Sequence, residues 1–361
     1  MSEVVNFGAG PAALPKEVLQ RAREELIDFE GSGISVMEHS HRSDIYGAVH
    51  HRALELVRSL LEVPSSYSVF FVQGGASGMF ATVPLNFLPP KRSADYIITG
   101  IWSKKALAEA QLVGSARAVA DTVEDGCWYS VPSTDTLALD PRAAFAHITT
   151  NNTISGVQWP DHPHTEAPLI ADASSDLFSR PFEIDRFGMI YAGAQKNLGP
   201  SGVVLGIVRN ELLETASTSI PKIFRFGAHV EAHSLLHTPP TFAIYLVKNV
   251  LQWLADQGGV KAIAAQNQAK ANLLYSAIDS SDGWYRSRVK VEHRSAMNVV
   301  FRCPTEDLEA RLLARAQTAG LIGLKGHRTV GGLRASIYNA VPLSGVERLV
   351  ELMADFRREH A

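Results

Sequence analysis

The chain has 361 residues, 34 Lys and Arg against 37 Asp and Glu, and 46% hydrophobic residues. Its length predicts two domains, and its net charge of −3 gives nucleic acid or an anionic membrane no electrostatic reason to bind. Two cysteines, Cys127 and Cys303, exclude a disulfide framework and fit a reducing cytoplasm.

The first residues, Met1-Ser2-Glu3-Val4-Val5-Asn6-Phe7, carry no basic region and no apolar run, so no secretion signal is expected. No stretch reaches roughly 18 uninterrupted apolar residues, and a soluble cytoplasmic protein is expected. Leu14-Pro15-Lys16 predicts a helix start, with Pro in the first turn. Val18, Leu19, Ala22, Leu26 and Phe29 continue it at helical spacing until Gly31 and Gly33. A second helix carries Val49, Ala53, Leu56, Val57, Leu60 and Leu61 on one side. Short apolar runs follow at 68–72, 96–99, 147–150, 169–171, 189–192 and 203–208, with helical segments such as 104–112 between them. This alternation predicts an α/β fold: a mostly parallel sheet covered on both faces. A long helix is expected over 241–254, and Gly258-Gly259 then breaks the pattern. Beyond it come a helix over 260–278, a strand over 289–302, a helix over 306–319 and a strand over 333–337. That is a smaller α+β unit. The expected boundaries are a large domain over 16–256 and a small domain over 257–361, joined by the N-terminal segment 1–15.

Ligands in such sheets collect at the carboxyl ends of the strands. The candidates stand there: Gly74, Gly75, Trp102, Thr153, Asp172 and Lys196. Lys196 ends the apolar run that begins at Met189 and is followed by Gly199-Pro200. A desolvated lysine loses its charge readily and becomes a nucleophile toward aldehydes. Asp172 ends the preceding strand, 196 − 172 = 24 residues earlier, about one strand–connection–strand unit. An acid and a lysine on successive strand ends are the two groups that pyridoxal phosphate needs.

Each candidate has a plainer explanation when taken alone. Lys196 reads equally as a surface lysine, Asp172 as a turn cap and Trp102 as core. Gln73-Gly74-Gly75-Ala76-Ser77-Gly78 is either a phosphate cradle at a helix start or an ordinary strand-to-helix turn. Their order, one after each strand, is what favours a cofactor site. His41-Arg42, His327-Arg328 and Arg334 form a cationic set, and arginine forks match carboxylates and phosphates. Asp161-His162-Pro163-His164 has metal-like composition but reads as loop, and no metal site is expected.

Further motifs are Ser40-His41-Arg42, residues 191–200, Thr238-Pro239-Pro240-Thr241-Phe242, Lys325-Gly326-His327-Arg328 and residues 331–340. With them, the chain from Asn6 to Phe356 resembles the phosphoserine aminotransferases, a fold-type I, class V family that uses pyridoxal phosphate. The resemblance implies that Lys196 holds the cofactor as a Schiff base and shuttles the substrate proton. It implies that Asp172 pairs with the ring nitrogen and Trp102 stacks on the ring. Thr153 and Gln195 match cofactor contacts, and Ala76 and Ser77 the phosphate loop. Thr238, with His237 before it, matches a phosphate contact supplied by the second subunit of a homodimer. Arg42 and Arg334 match substrate-anion residues, with His41, His327 and Arg328 beside the substrate phosphate. The implied substrates are glutamate and 3-phosphohydroxypyruvate; some members also take a phosphorylated four-carbon oxo acid. Three departures stand out: His237 replaces a common Asn, Asn152 a common Glu, and Ala76-Ser77 lacks a basic side chain.

Two other readings compete. A cysteine desulfurase or another class V enzyme needs different chemistry, in the first case a reactive cysteine on a mobile loop. A non-catalytic anion-binding protein would use Gly74–Gly78 without Lys196.

Overall fold

The computed structural model describes residues 4–361, so residues 1–3 of the expected N-terminal segment lie outside it. Seven strands form the main sheet: β1 (Tyr67–Gly74), β2 (Ser93–Ile98), β3 (Ser115–Asp121), β4 (Phe145–Thr149), β5 (Leu169–Asp172), β6 (Met189–Gly193) and β7 (Gly202–Arg209). Their spatial order is β1-β7-β6-β5-β4-β2-β3. The ladders β6–β5, β5–β4, β4–β2 and β2–β3 are parallel, while β7 runs antiparallel to both neighbours. The sheet is thus parallel except for one strand, as the alternating pattern predicts.

Strand residues alternate between two apolar layers. In β4–β6, Ile148, Ala171 and Ile190 face one layer, with helices Asp44–Leu60 and Thr241–Asp256. Phe145, Ile170, Met189 and Tyr191 face the other, with helices Ala76–Phe87 and Ile101–Val113. Burial on both faces explains why these strands read as continuous apolar runs rather than alternating ones.

A separate apolar cluster surrounds the antiparallel pair Asn298–Phe301 and Leu333–Ser336. Val5 and Phe7 join it, and Val5–Asn6 pairs in parallel with Leu321–Ile322. Helices Glu306–Thr318 and Leu343–His360 pack here. Helix Gly259–Asp279 belongs to both regions: Val260 and Ile263 sit in the sheet's core, Ala271, Leu274 and Ile278 in the smaller one.

Two expected elements are shorter than the pattern implies. The first helix ends at Glu24, because residues 28–34 close a turn through Phe29 N–H to Ile34 O at 2.9 Å, with Glu30 and Gly31 at positive φ. Phe29 is still buried, edge-on to Tyr245. The strand expected over 289–302 covers only Asn298–Phe301; a single 3₁₀ turn, Val291–His293, occupies part of the rest, and Val291 is exposed.

Candidate active site

The carboxyl ends of β4, β5 and β6 open on a cavity of about 480 Å³. Asp172 ends β5, and Lys196 follows β6 by three residues. Both line the cavity, together with Ala76, Ser77, Trp102, Thr153, Gln195, His327 and Arg334.

Lys196 Nζ donates to Thr153 Oγ1 at 2.7 Å. Burial pulls its pKa from 10.5 to about 8, against the opposing pull of Asp172 and Asp176. Arg334 reinforces the lowering. The amine is therefore part neutral near physiological pH, which a nucleophile or base requires.

Asp172 is buried, and burial raises its pKa. Ser174 resists this: its backbone amide and its hydroxyl both donate to Asp172 Oδ1, at 3.0 and 2.5 Å, and Lys196 adds favourable charge. Among the described residues no donor reaches the second carboxylate oxygen, which is left for a ligand. Behind it, Asp176 is tied down by Thr150, Gln158 and Arg180.

Helix Ala76–Phe87 begins at the cavity wall. Its N-cap, Gly75, supplies no side-chain cap, and its first turn holds no acid. Its free amides and positive dipole end thus point at an anion site. Gly74 turns the chain here at φ +114, a conformation that favours glycine. Trp102 lies in the first turn of the next helix, and its buried Nε1 has no partner. Arg334 donates from Nη1 to Thr153 O at 3.3 Å, and its buried Nε is unpartnered. No carboxylate pairs with it among the described residues. A guanidinium held without a counter-ion has donors free for an anion.

Five expected site residues do not line the cavity. His41 is half-buried with Nε2 unpartnered, and Arg42 is exposed. Arg328 is exposed beside His327. His237 bonds through Nδ1 to Thr238 O at 2.8 Å and faces a neighbouring cleft that also touches Gly75 and Gly78. Thr238 is exposed. Neither cysteine lines the cavity; burial pushes the Cys303 thiol up to about 12, far from a thiolate.

Sequence reasoning missed Ser174 as the partner of Asp172. Its signal was available, as a serine two residues past a strand-ending aspartate is a common turn. Asn197 was also missed; its Oδ1 accepts from the backbone amide of Asn339 at 3.1 Å, and nothing local in the sequence announces a partner 142 residues away.

The cavity thus gathers a buried lysine, an acid with one free oxygen and an uncapped helix end at the carboxyl edge of the sheet. The family model for aminotransferase class-V matches residues 4–349, and the chain belongs to that family. Its full-length relatives narrow the class. It is 50% identical over 361 residues to the phosphoserine aminotransferase of Halalkalibacterium halodurans, covering 100% of both chains. It is 48% identical over 360 residues to that of Bacillus subtilis, again covering 100% of both. Among solved structures, phosphoserine aminotransferase from Bacillus circulans subsp. alkalophilus superposes with TM-score 0.97 at 46% identity over 100% of both chains. The pyridoxal-phosphate-bound enzyme from Trichomonas vaginalis gives 0.93 at 38%, over 98% of this chain and 100% of that one.

Proposed function

We propose that this chain is a pyridoxal-phosphate-dependent transaminase moving an amino group from glutamate to 3-phosphohydroxypyruvate, giving 3-phosphoserine and 2-oxoglutarate. The observation that carries the reading is the shared cavity of Lys196 and Asp172, with an open helix N-terminus on its wall. Full-length relatives named phosphoserine aminotransferases support the substrate pair.

The donor set fits the cofactor. Ala76 and Ser77 would hold its phosphate through helix amides and the serine hydroxyl. Trp102 would cover the ring face, Thr153 and Gln195 would contact its edge, and ionised Asp172 would accept a hydrogen bond at Oδ2 from the ring nitrogen and keep that nitrogen protonated. The bound cofactor supplies an electrophilic carbon and an electron-accepting ring. Lys196 then has two tasks, bonding to the cofactor and carrying a proton at Nζ. A pKa near 8 serves both. Thr153 Oγ1 fixes where that proton sits.

Arg334 and His327 would receive the substrate anions within the cavity. His41, Arg42 and Arg328 would complete the phosphate end, and His237 with Thr238 would reach the cofactor phosphate of a second subunit. Their positions off this cavity, with Arg42, Thr238 and Arg328 exposed, favour a homodimer whose sites span the interface. The same reading makes this a cytoplasmic enzyme of serine biosynthesis. It divides the chain into a large domain, 16–256, and a small domain, 257–361 with the N-terminal segment. The separate cluster containing Val5, Phe7 and Phe356 supports that division.

The test is a half-reaction: purified holoenzyme mixed with phosphoserine should shift the cofactor spectrum, and O-unphosphorylated serine should do so far more slowly. Equal rates would remove the phosphate from the proposal.

A further inference from the structure

Lys270 is buried, at 2% exposure, in the middle of helix Gly259–Asp279. No carboxylate meets it among the described residues. Its Nζ donates instead to three backbone carbonyls of one loop: Ile337 at 3.0 Å, Tyr338 at 2.8 Å and Val341 at 3.0 Å. An ammonium has three hydrogens, and a neutral amine two. Three convergent acceptors therefore match the charged form and oppose the burial that pulls its pKa to about 7.

The clasped loop leads to the active site along two routes. Asn339 donates its backbone amide to Asn197 Oδ1 at 3.1 Å, and Asn197 is the neighbour of Lys196. Asn339 Nδ2 donates to Phe178 O at 3.0 Å, in the segment that follows Asp172. One turn before Lys270, Asn267 grips the same places, donating to Asn339 Oδ1 at 2.8 Å and Ser179 O at 3.0 Å. The loop holding Lys196 and the loop after Asp172 thus share an anchor.

We propose that Lys270 is a positioning residue for transamination: its ammonium gathers the 337–341 carbonyls as a bound monovalent cation would, and so sets the Lys196 and Asp172 loops in register. This rests on the transaminase reading above. It touches neither cofactor nor substrate, so its loss acts through placement; a small misplacement of reacting groups costs rate on the order of 10–100-fold.

The test uses holoenzyme variants Lys270→Ala and Lys270→Met. Both should lower kcat by at least about tenfold with the KM for phosphoserine little changed, the pattern of a lost transition-state arrangement. Ammonium or methylammonium should restore Lys270→Ala saturably. Tetramethylammonium, which has no N–H, should not, nor should either cation restore Lys270→Met. Hydrogen exchange in 337–341 should quicken in Lys270→Ala and slow again with ammonium, a readout independent of turnover. Wild-type kcat in Lys270→Met, or exchange and kcat in Lys270→Ala indifferent to ammonium, overturns the proposal. If neither variant is soluble, the double variant Asn197→Ala/Asn339→Ala decides: it keeps Lys270 and its carbonyls but removes the Asn197 acceptor of one route and the Asn339 side-chain donor of the other, and an unchanged kcat refutes the coupling. Inactive wild type would instead sink the transaminase reading and leave the exchange result standing.

Discussion

Ser174 gives both its backbone amide and its hydroxyl to a single oxygen of Asp172, and the same hydroxyl accepts the Gly193 amide at 3.0 Å. The acid is thereby fixed to the end of the strand that leads to Lys196. Ser174→Ala removes one charge-assisted bond of about 1.5–3 kcal/mol and leaves burial to raise the Asp172 pKa further. The phosphoserine half-reaction should slow by about tenfold or more in stopped-flow absorbance. An unchanged rate would mean that the serine does not hold the acid in its working form.

Lys196→Ala should retain the fold, since Nζ makes one hydrogen bond, to Thr153. Transamination should fall by at least about 10²–10⁴-fold, the scale of a lost acid–base group. Borohydride reduction of wild-type holoenzyme should attach the cofactor to the peptide containing Lys196, as mass spectrometry would record. Near-normal turnover in the variant would end the mechanism.

The lowered pKa of Lys196 has two signatures in cofactor-free protein. Uptake of pyridoxal phosphate should accelerate as pH rises through about 8, where the amine becomes neutral. Stability should respond in the same direction. Between about 8 and 10.5 the unfolded chain binds a proton that the folded chain has released, so folding gains as pH rises across that interval. Lys196→Met should flatten both profiles; if it titrates like the wild type, another group is responsible.

The proposed homodimer, with sites spanning its interface, would draw Arg42 from one subunit and Lys196 from the other. Arg42→Ala and Lys196→Ala homodimers should each be impaired, and unfolding and refolding them together should recover activity in hybrid dimers. Recovery requires one intact composite site. No gain on mixing would place Arg42 outside the partner's site.

Gly206 faces Phe70 across the β7–β1 ladder, and a methyl there would come within 2.4–2.9 Å of the buried ring. Gly206→Ala should therefore cost about 1–3 kcal/mol by overpacking. Thermal melts should show a lower Tm, while the folded enzyme keeps its kcat.

The apolar runs that became β1, β2 and β4–β7 were legible because both faces of the sheet are covered. β3 was not: its sequence, Ser115 to Asp121, is half-exposed at the sheet edge and carries Arg117 to pair with Asp95. Edge strands lack the apolar signature by nature. Helix Leu343–His360 is the opposite case, since its buried Val346, Leu349, Met353 and Phe356 repeat at spacings of three, four and three. That periodicity stood in the sequence unread. In the site, Lys196, Asp172 and the glycine turn could be located from strand ends alone. The roles of Asn197, Asn339 and Lys270 could not, because each depends on a contact between distant segments.

Helix Gly259–Asp279 starts among the side chains of the sheet and finishes among those of the smaller lobe. A chain cut at the glycine pair would strip Val260 and Ile263 from the larger piece and leave them as bare grease on the smaller. The lobes are consequently not interchangeable cassettes: an exchange between relatives has to splice downstream of this spar, or carry it along with both of its seats.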